Sequence, residues 1–432
     1  MIKFKHILKL HQKVFELLAI ISVIILNIYG GVVFLQSKNM RAISQKTIAK
    51  ILSKEILDTY AREVVKTCST ENYKPTCYEK EITQFMDVMS MEQAFDMTKI
   101  IQDYDPSYGY CHVLGHKLSA KETVKDPSKW KEIIGRCPSG VCSNGCIHGA
   151  FQERFRTEEL TPEQLEVLKP ELEDVCEAKG NWKPTGLEQA TCYHALGHLL
   201  MYITGADATK SSSLCDEFAI RDGGQRNFSQ VCYDGTFMQI FQPLEVEDFA
   251  LIKGKEVDKQ HHKQFCDQYS GWKQTSCWNE GWPLYREQIL TSKGLTEFCD
   301  KMYLKDPNFK DRCFAGMSYV VTAQLQFDLK KVENFCKGLT DQRRSGQCFA
   351  NAATRLFETD YRNIPKSVEL CNGVQKALPN RICFEELLRY STFNFKPNSP
   401  EFFQLCNLMP EPWKTSCLTK RQPEGGFWTP SD

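Results

Sequence analysis

The residues best suited to chemistry in this sequence are histidines at a fixed distance from cysteines. The stretches YCHVLGH (110–116) and CYHALGH (192–198) each carry an H-x-x-x-H pair, His112/His116 and His194/His198. Between them CIH (146–148) offers His148 at the same offset from its cysteine, and CYD (232–234) offers Asp234. Residues four apart lie on one face of a helix. Each pair can therefore turn two imidazoles toward one ion, and neutral imidazole ligates Zn, Cu and Fe. His112, His116, His148, His194, His198 and Asp234 form the candidate ligand set for a transition metal (Zn, Cu or Fe). His112 and His116 can be joined by His148, His194 and His198 by His148 or Asp234, or all five imidazoles can meet.

Other chemistries lack their signatures. H-E-x-x-H, C-x-x-C-H, G-x-S-x-G, the P-loop and the dinucleotide fingerprint are all absent. Glu153 and Asp234 are candidates for a ligand or a general base in metal-assisted hydrolysis. Asp103, Asp105 and Glu122 are expected on solvated helix faces. His261 and His262 are expected in a solvated polar loop, and His6 and His11 precede an apolar stretch. Trp272, Trp278 and Trp282, with Tyr269 and Tyr285, form either a platform for a sugar or peptide or the core of a repeat. Two readings stay open: a histidine-lined metal or ligand site, and a non-enzymatic scaffold that binds a protein or peptide on a concave face with its histidines as packing.

The elements that must position these residues are set by the cysteines. Twenty occur in 432 residues, with no C-x-x-C. An even count at medium spacing suits an oxidising compartment. Aligning the chain on Cys77, Tyr110, Cys146, Cys192, Cys232, Cys277, Cys313, Cys348, Cys383 and Cys417 gives ten units with a period in the thirties to forties, the range of two-helix solenoids. The residue two places after each anchor is Glu79, His112, His148, His194, Asp234, Asn279, Ala315, Ala350, Glu385 and Thr419. Earlier in each unit a short helical stretch ends in an apolar residue and a cysteine, as at Val175-Cys176 and Phe335-Cys336. The expected fold is all-α: disulfide-clamped two-helix repeats in an α-solenoid or superhelix. The expected bridges are 68–77, 137–146, 176–192, 215–232, 266–277, 299–313, 336–348, 371–383 and 406–417, with Cys111 and Cys142 left for each other. Closing a loop of about 15 residues stabilises by roughly 3 kcal/mol in the chain-entropy model. Thr161-Pro162, Asp126-Pro127 and Ser399-Pro400 read as helix starts. Gly115 and Gly197 sit inside expected helices, where glycine costs about 1 kcal/mol relative to alanine, which points to close approach of a helix or a ligand. Gly149, Gly235 and Gly316 fit the same packing role.

The layout is similar in outline to the disulfide-clamped helical repeats of secreted Sel1-like proteins. The Leu-Gly and Tyr signatures of that family do not recur regularly, and the resemblance implies architecture alone.

Lys3, Lys5, Lys9 and Lys13 precede an apolar stretch at 14–35, long enough to span a bilayer as a helix. It is expected to be an uncleaved signal anchor, with residues 1–13 in the cytoplasm and the cysteine-bearing bulk outside it (periplasmic, extracellular or lumenal). The lipid bilayer is thus an expected partner. A net charge of zero offers no field for nucleic acid, which is set aside. The remaining divisions are a helical stalk at 36–66, histidine-bearing repeats at 67–259, histidine-poor repeats at 260–422 and a loose tail at 423–432. The histidine-poor units are expected to serve stability or partner binding.

Overall fold

A computed structural model describes residues 53–155, 160–180, 182–302, 307–396 and 398–419. The expected span at 14–35 and the tail lie outside these residues. Among the described residues no helix is long and apolar enough to cross a membrane.

Among the described residues twenty-two α-helices carry the fold, and the only paired strands are Ile220–Arg221 and Arg226–Asn227. The helices start where the sequence supplies caps. Thr161 and Gln164 form a reciprocal capping box at Pro162–Glu173, and Thr185 and Glu188 do the same at Gly186–Ile203. Asp207, Asp328, Asp341 and Ser399 each accept a hydrogen bond from a backbone N–H in the first turn.

All ten expected bridges are present, Cys111–Cys142 included. In a typical unit the bridge ties the end of a short outer helix to the first turns of a longer inner one. Cys215 of Ala208–Phe218, for example, is joined to Cys232 of Ser229–Phe241, with Cα atoms 5.7 Å apart. Successive inner helices pack side by side, from His112–Lys125 through Gly145–Phe155, Gly186–Ile203, Ser229–Phe241, Gly271–Glu280, Pro307–Gln324 and Gln342–Thr359 to Ala377–Asn394. Their packed faces hold the aromatic and aliphatic core, including Phe151, Tyr193, Phe237, Phe314, Phe349 and Phe357.

The solenoid closes on itself. Ala377–Asn394 packs back against Gly186–Ile203, and Gln342–Thr359 meets the turn at Cys142–Asn144. At the seam the Tyr361 amide donates to the Gly140 carbonyl at 3.1 Å. Arg362 bonds Asp103 at 3.0 Å and the Lys99 carbonyl at 3.1 Å. Gly140 has φ +62°, and a Cβ there would fall 2.3 Å from the Tyr361 ring. The histidine-poor units are therefore joined to the histidine-bearing ones as part of one closed curl.

Part of the expected stalk belongs to this body. The helix Lys54–Cys68 buries Leu57, Ala61 and Val64 and packs on Met91–Tyr104, so the folded unit reaches back at least to Lys54. Its apolar residues at i, i+4 and i+7 are the helical stripe that a core-facing helix shows.

The helical glycines mark close crossings. A Cβ on Gly197 would lie 2.0 Å from the Cys232 carbonyl oxygen, and one on Gly235 would lie 2.0 Å from that of His194. The preceding pair repeats this: a Cβ on Gly149 would lie 2.0 Å from the His116 carbonyl oxygen, and one on Gly115 2.9 Å from the Cys146 nitrogen. Backbone meets backbone at both crossings, and any side chain would force the helices apart. An exposed helical Gly→Ala change stabilises by about 1 kcal/mol. Gly197→Ala is expected to do the reverse, costing about 1–3 kcal/mol by overpacking. Thermal unfolding of the two proteins checks this: a lower midpoint in the variant is predicted, and an unchanged or higher one contradicts the close crossing.

Candidate metal centre

The first crossing along the chain brings His148 to His112 and His116, the packing of Gly145–Phe155 on Gly186–Ile203 brings it to His194 and His198, and the second crossing brings Gln239 to His198. His112 and His116 stand one turn apart on His112–Lys125, His148 on the adjacent Gly145–Phe155, and His194 and His198 on Gly186–Ile203. Ring centroids of His112 and His116 are 4.7 Å apart, and His148 lies 4.9 and 5.0 Å from them. On its other side His148 lies 5.3 Å from His194 and 5.7 Å from His198. His148 is thus the central ring, with an H-x-x-x-H pair on either side. Nitrogens of His112, His116 and His148 all fall within 4.8 Å of one another.

The hydrogen bonds orient the rings in the same way on both sides. His116 Nδ1 meets Gln152 Oε1 at 3.0 Å, and His198 Nδ1 meets Gln239 Oε1 at 2.7 Å. An amide oxygen only accepts, so in both rings Nδ1 carries the proton and Nε2 keeps its lone pair. Those Nε2 atoms lie 3.1 Å from His112 Nε2 and 3.2 Å from His194 Nε2. Two nitrogens each about 2.05 Å from one ion, at these separations, subtend about 100° at it, between the octahedral and tetrahedral angles. An acceptor holding the far nitrogen of a ligating histidine is the usual outer-shell arrangement. The carbonyls of Cys142 and Val231 act on His112 and His194 in the same sense, although His112 Nδ1 makes no hydrogen bond of regular geometry. With Nδ1 also protonated on His112 and His194, as those carbonyls favour, the two Nε2 lone pairs of each pair face one another. His148 is less satisfied still: both its nitrogens are buried without a partner. A buried polar group left unpaired costs about 1–3 kcal/mol.

Burial sets the protonation state. All five imidazoles are held well toward the neutral form, first by loss of water and, for all but His198, then by the repulsion a proton would meet from neighbouring histidines. His116 is pushed down to about 3. Neutral imidazole is the form that binds a metal.

Asp234 faces elsewhere. It lies with Glu280 and Ser276, where burial pushes its carboxyl up to about 7 and raises Glu280, which also feels the Asp234 charge. Gln242 Nε2 donates to Glu280 at 2.6 Å. Asp234 is absent from the groups whose ligand atoms converge. Its offset from Cys232 matches that of the histidines, but the next unit supplies Glu280 as its neighbour. Asp103 pairs with Arg362, Asp105 with Lys74 and Tyr78, and Glu122 with Arg136 and Lys125. Those three carboxylates have structural partners.

His261 is exposed beside Asp258, but His262 is fully buried, against the expectation of a solvated loop. It meets the Tyr285 hydroxyl at 3.1 Å and the Cys277 carbonyl at 3.3 Å and packs on Trp278. The loop forms a short helix, His262–Cys266, that turns this ring inward. His262, Cys266 and Cys277 also lie within 4.8 Å of one another, but both sulfurs are spent in a disulfide. Trp278 and Tyr285 are buried in the same cluster, which makes it repeat core.

The structure adds residues that histidine spacing misses. Tyr319 stands six places after Cys313, the offset of His198 from Cys192, and Arg355 seven places after Cys348. Tyr110 stacks on His112 at 5.9 Å, and the Arg355 guanidinium lies 5.8 Å from the Tyr110 ring and 4.0 Å from that of Tyr319. The Arg355 charge adds to what disfavours a proton on His112 and His194. Tyr319 shares the sixth place with His116, Gln152 and His198, whereas Arg355, at the seventh, has no such signal in the chain.

The five clustered imidazoles and His262 all sit below their ordinary pKa of 6.5. Below pH 6.5 the unfolded chain therefore binds protons that the folded one refuses, and stability falls as pH falls. Asp234, Glu280 and Glu358 are raised and work in the opposite direction between about pH 4 and 7. Six groups outweigh three. The metal-free protein is expected to be most stable above pH 6.5 and to lose thermal midpoint steadily from pH 6.5 to 4.5. A midpoint that is flat or rises on acidification contradicts neutral burial of the histidines.

Comparison with protein-family models, curated proteins and solved structures gave no match to this chain.

Proposed function

We propose that this protein is a membrane-anchored, extracytoplasmic metal-binding protein, with a transition ion held by His112, His116 and His148 and with His194 and His198 completing the centre. One observation carries this reading. Three imidazoles converge within 4.8 Å, and the middle one, His148, has two buried nitrogens with no partner. A single buried histidine is ordinarily satisfied within the core. Here a divalent ion would take up the lone pairs that the protein leaves facing one another.

Nitrogen-only ligation favours Zn, Cu or Fe over Mg or Ca, which prefer oxygen. The bound ion would act as a Lewis acid or redox centre. The chain's own part is to hold the imidazoles neutral, fix their tautomers through Gln152 and Gln239, and exclude bulk water. Ten bridges support an oxidising compartment, and the apolar stretch at 14–35 supports anchoring there.

The alternative is a scaffold whose histidines are packing, and metal content separates the two. The full-length protein, purified without chelator, is expected to carry bound transition metal by elemental mass spectrometry. His148→Ala, which leaves the helices capped and crossed, is expected to lose at least about 90% of it, following a loss of about 10–100-fold or more in affinity. Negligible metal in the wild type, even after incubation with Zn²⁺, Cu²⁺ or Fe²⁺, would leave the scaffold reading. A further outcome distinguishes this site from ordinary surface histidines. Because burial already keeps these rings neutral, metal should be retained at pH 5, where exposed histidines protonate and release it.

A further inference from the structure

The proposed centre leaves a charge uncompensated. Its ligands are neutral imidazoles, so a divalent ion would keep both its charges. Across the closed curl, Arg355 brings a third. Among the described residues no carboxylate lies within ion-pair distance of Arg355: it appears in none of the ion pairs, and its single hydrogen bond is to the Tyr319 hydroxyl. Its Nε is shut off from solvent with no partner. Glu358, three residues on, is the nearest candidate for a counter-charge. Burial pushes that carboxyl up to about 7 against the pull of the Arg355 charge, and it bonds Tyr319 and Asn394 rather than the guanidinium.

A deeply placed guanidinium without a carboxylate is costly unless something else supplies the negative charge. Arg355 keeps some solvent access as a residue, as do Tyr319 and His194. Partial burial with residual access leaves these side chains within reach of a small ligand from solvent. The exposed Tyr110 ring links the two groups, with its centroid 5.9 Å from that of His112 and 5.8 Å from the Arg355 guanidinium.

We propose that Arg355, with Tyr319, forms an oxyanion subsite facing the histidine centre, so that the protein's ligand carries a carboxylate or phosphate group held between the guanidinium and the metal. Arginine presents a planar fork of donors that matches either group. The unpartnered Nε is one free donor of that fork. Tyr319 would fix the guanidinium from the side, through its hydroxyl and its ring. The inference rests on the metal reading for the second contact and on the chain's own residues for the first.

The test measures binding of inorganic phosphate and of acetate by calorimetry to the full-length protein, both metal-free and loaded with one equivalent of Zn²⁺. Wild type is expected to bind at least one of the two anions, and roughly tenfold or more tightly when loaded. Preference for phosphate or for acetate identifies the group the natural ligand carries. Arg355→Gln is expected to weaken that binding by about 10- to 100-fold in both states while leaving zinc content unchanged, and Arg355→Lys to recover part of it. Should Arg355→Gln fail to fold, Tyr319→Phe gives the second reading, with several-fold weaker anion binding expected. Loss of binding on Arg355→Gln in the metal-free protein upholds the subsite even if no metal is taken up, in which case the metal reading alone fails. Anion binding as tight in Arg355→Gln as in wild type, or in Tyr319→Phe where only that variant folds, overturns the proposal. So does failure of wild type to bind either anion in both states.

Discussion

Everything at the centre of this molecule depends on two helix crossings so close that a single Cβ would collide with the opposite backbone. At Gly149 and Gly235 the clash would be with the carbonyls of His116 and His194 themselves. The glycine that allows the approach and the histidine that it approaches thus belong to one contact. Separate the helices by the width of a methyl group, and His148 no longer meets His112 and His116 at the first crossing, nor Gln239 His198 at the second. The disulfides act on the same geometry from outside. All but Cys111–Cys142 fix the start of an inner helix relative to the end of its outer partner, which sets the register of His148 and His194 in their units.

The electrostatics follow from that packing. Five imidazoles gathered away from water repel a proton strongly and are therefore kept neutral. Their hydrogen-bond capacity is then only partly used, with Gln152 and Gln239 holding one nitrogen on each side and His148 holding nothing. An arrangement that excludes protons and leaves lone pairs facing inward is poor design for a core and good design for a cation. The same closed curl that brings in Arg355 then makes the surroundings positive, and Asp234 and Glu280 face elsewhere, with burial raising both carboxyls.

Much of this is legible in the chain because the repeat is marked by covalent chemistry. The spacing of the cysteines gives all ten bridges, and the offset from each second cysteine gives His112, His116, His148, His194 and His198 as one group. Local signals suffice there, since stacked repeats put equivalent positions next to one another. What the chain does not show is contact between distant units. The seam that joins Tyr361 to Gly140 and Arg362 to Asp103 has no periodic signature, and it decides that Arg355 and Tyr319 look toward the histidines. Asp234 follows the repeat in its offset, yet its environment is made by Glu280, whose place depends on how the following unit packs. His262 was hidden by its polar neighbours: hydrophilic sequence on both sides reads as loop, whereas one turn of helix is enough to bury the ring. The polar look of the stretch before Cys68 concealed the stripe of Leu57, Ala61 and Val64 in the same way.

The central claim is that the facing imidazoles hold a metal ion, and the most direct measurement is X-ray absorption at the metal edge of the loaded protein. The account predicts a first shell of at least three nitrogens at about 2.0–2.1 Å, with the outer-shell scattering that imidazole rings produce, and loss of part of that scattering in His116→Ala. A first shell made of oxygen alone, or imidazole scattering unchanged in that variant, would place the ion somewhere other than among these histidines and contradict the account.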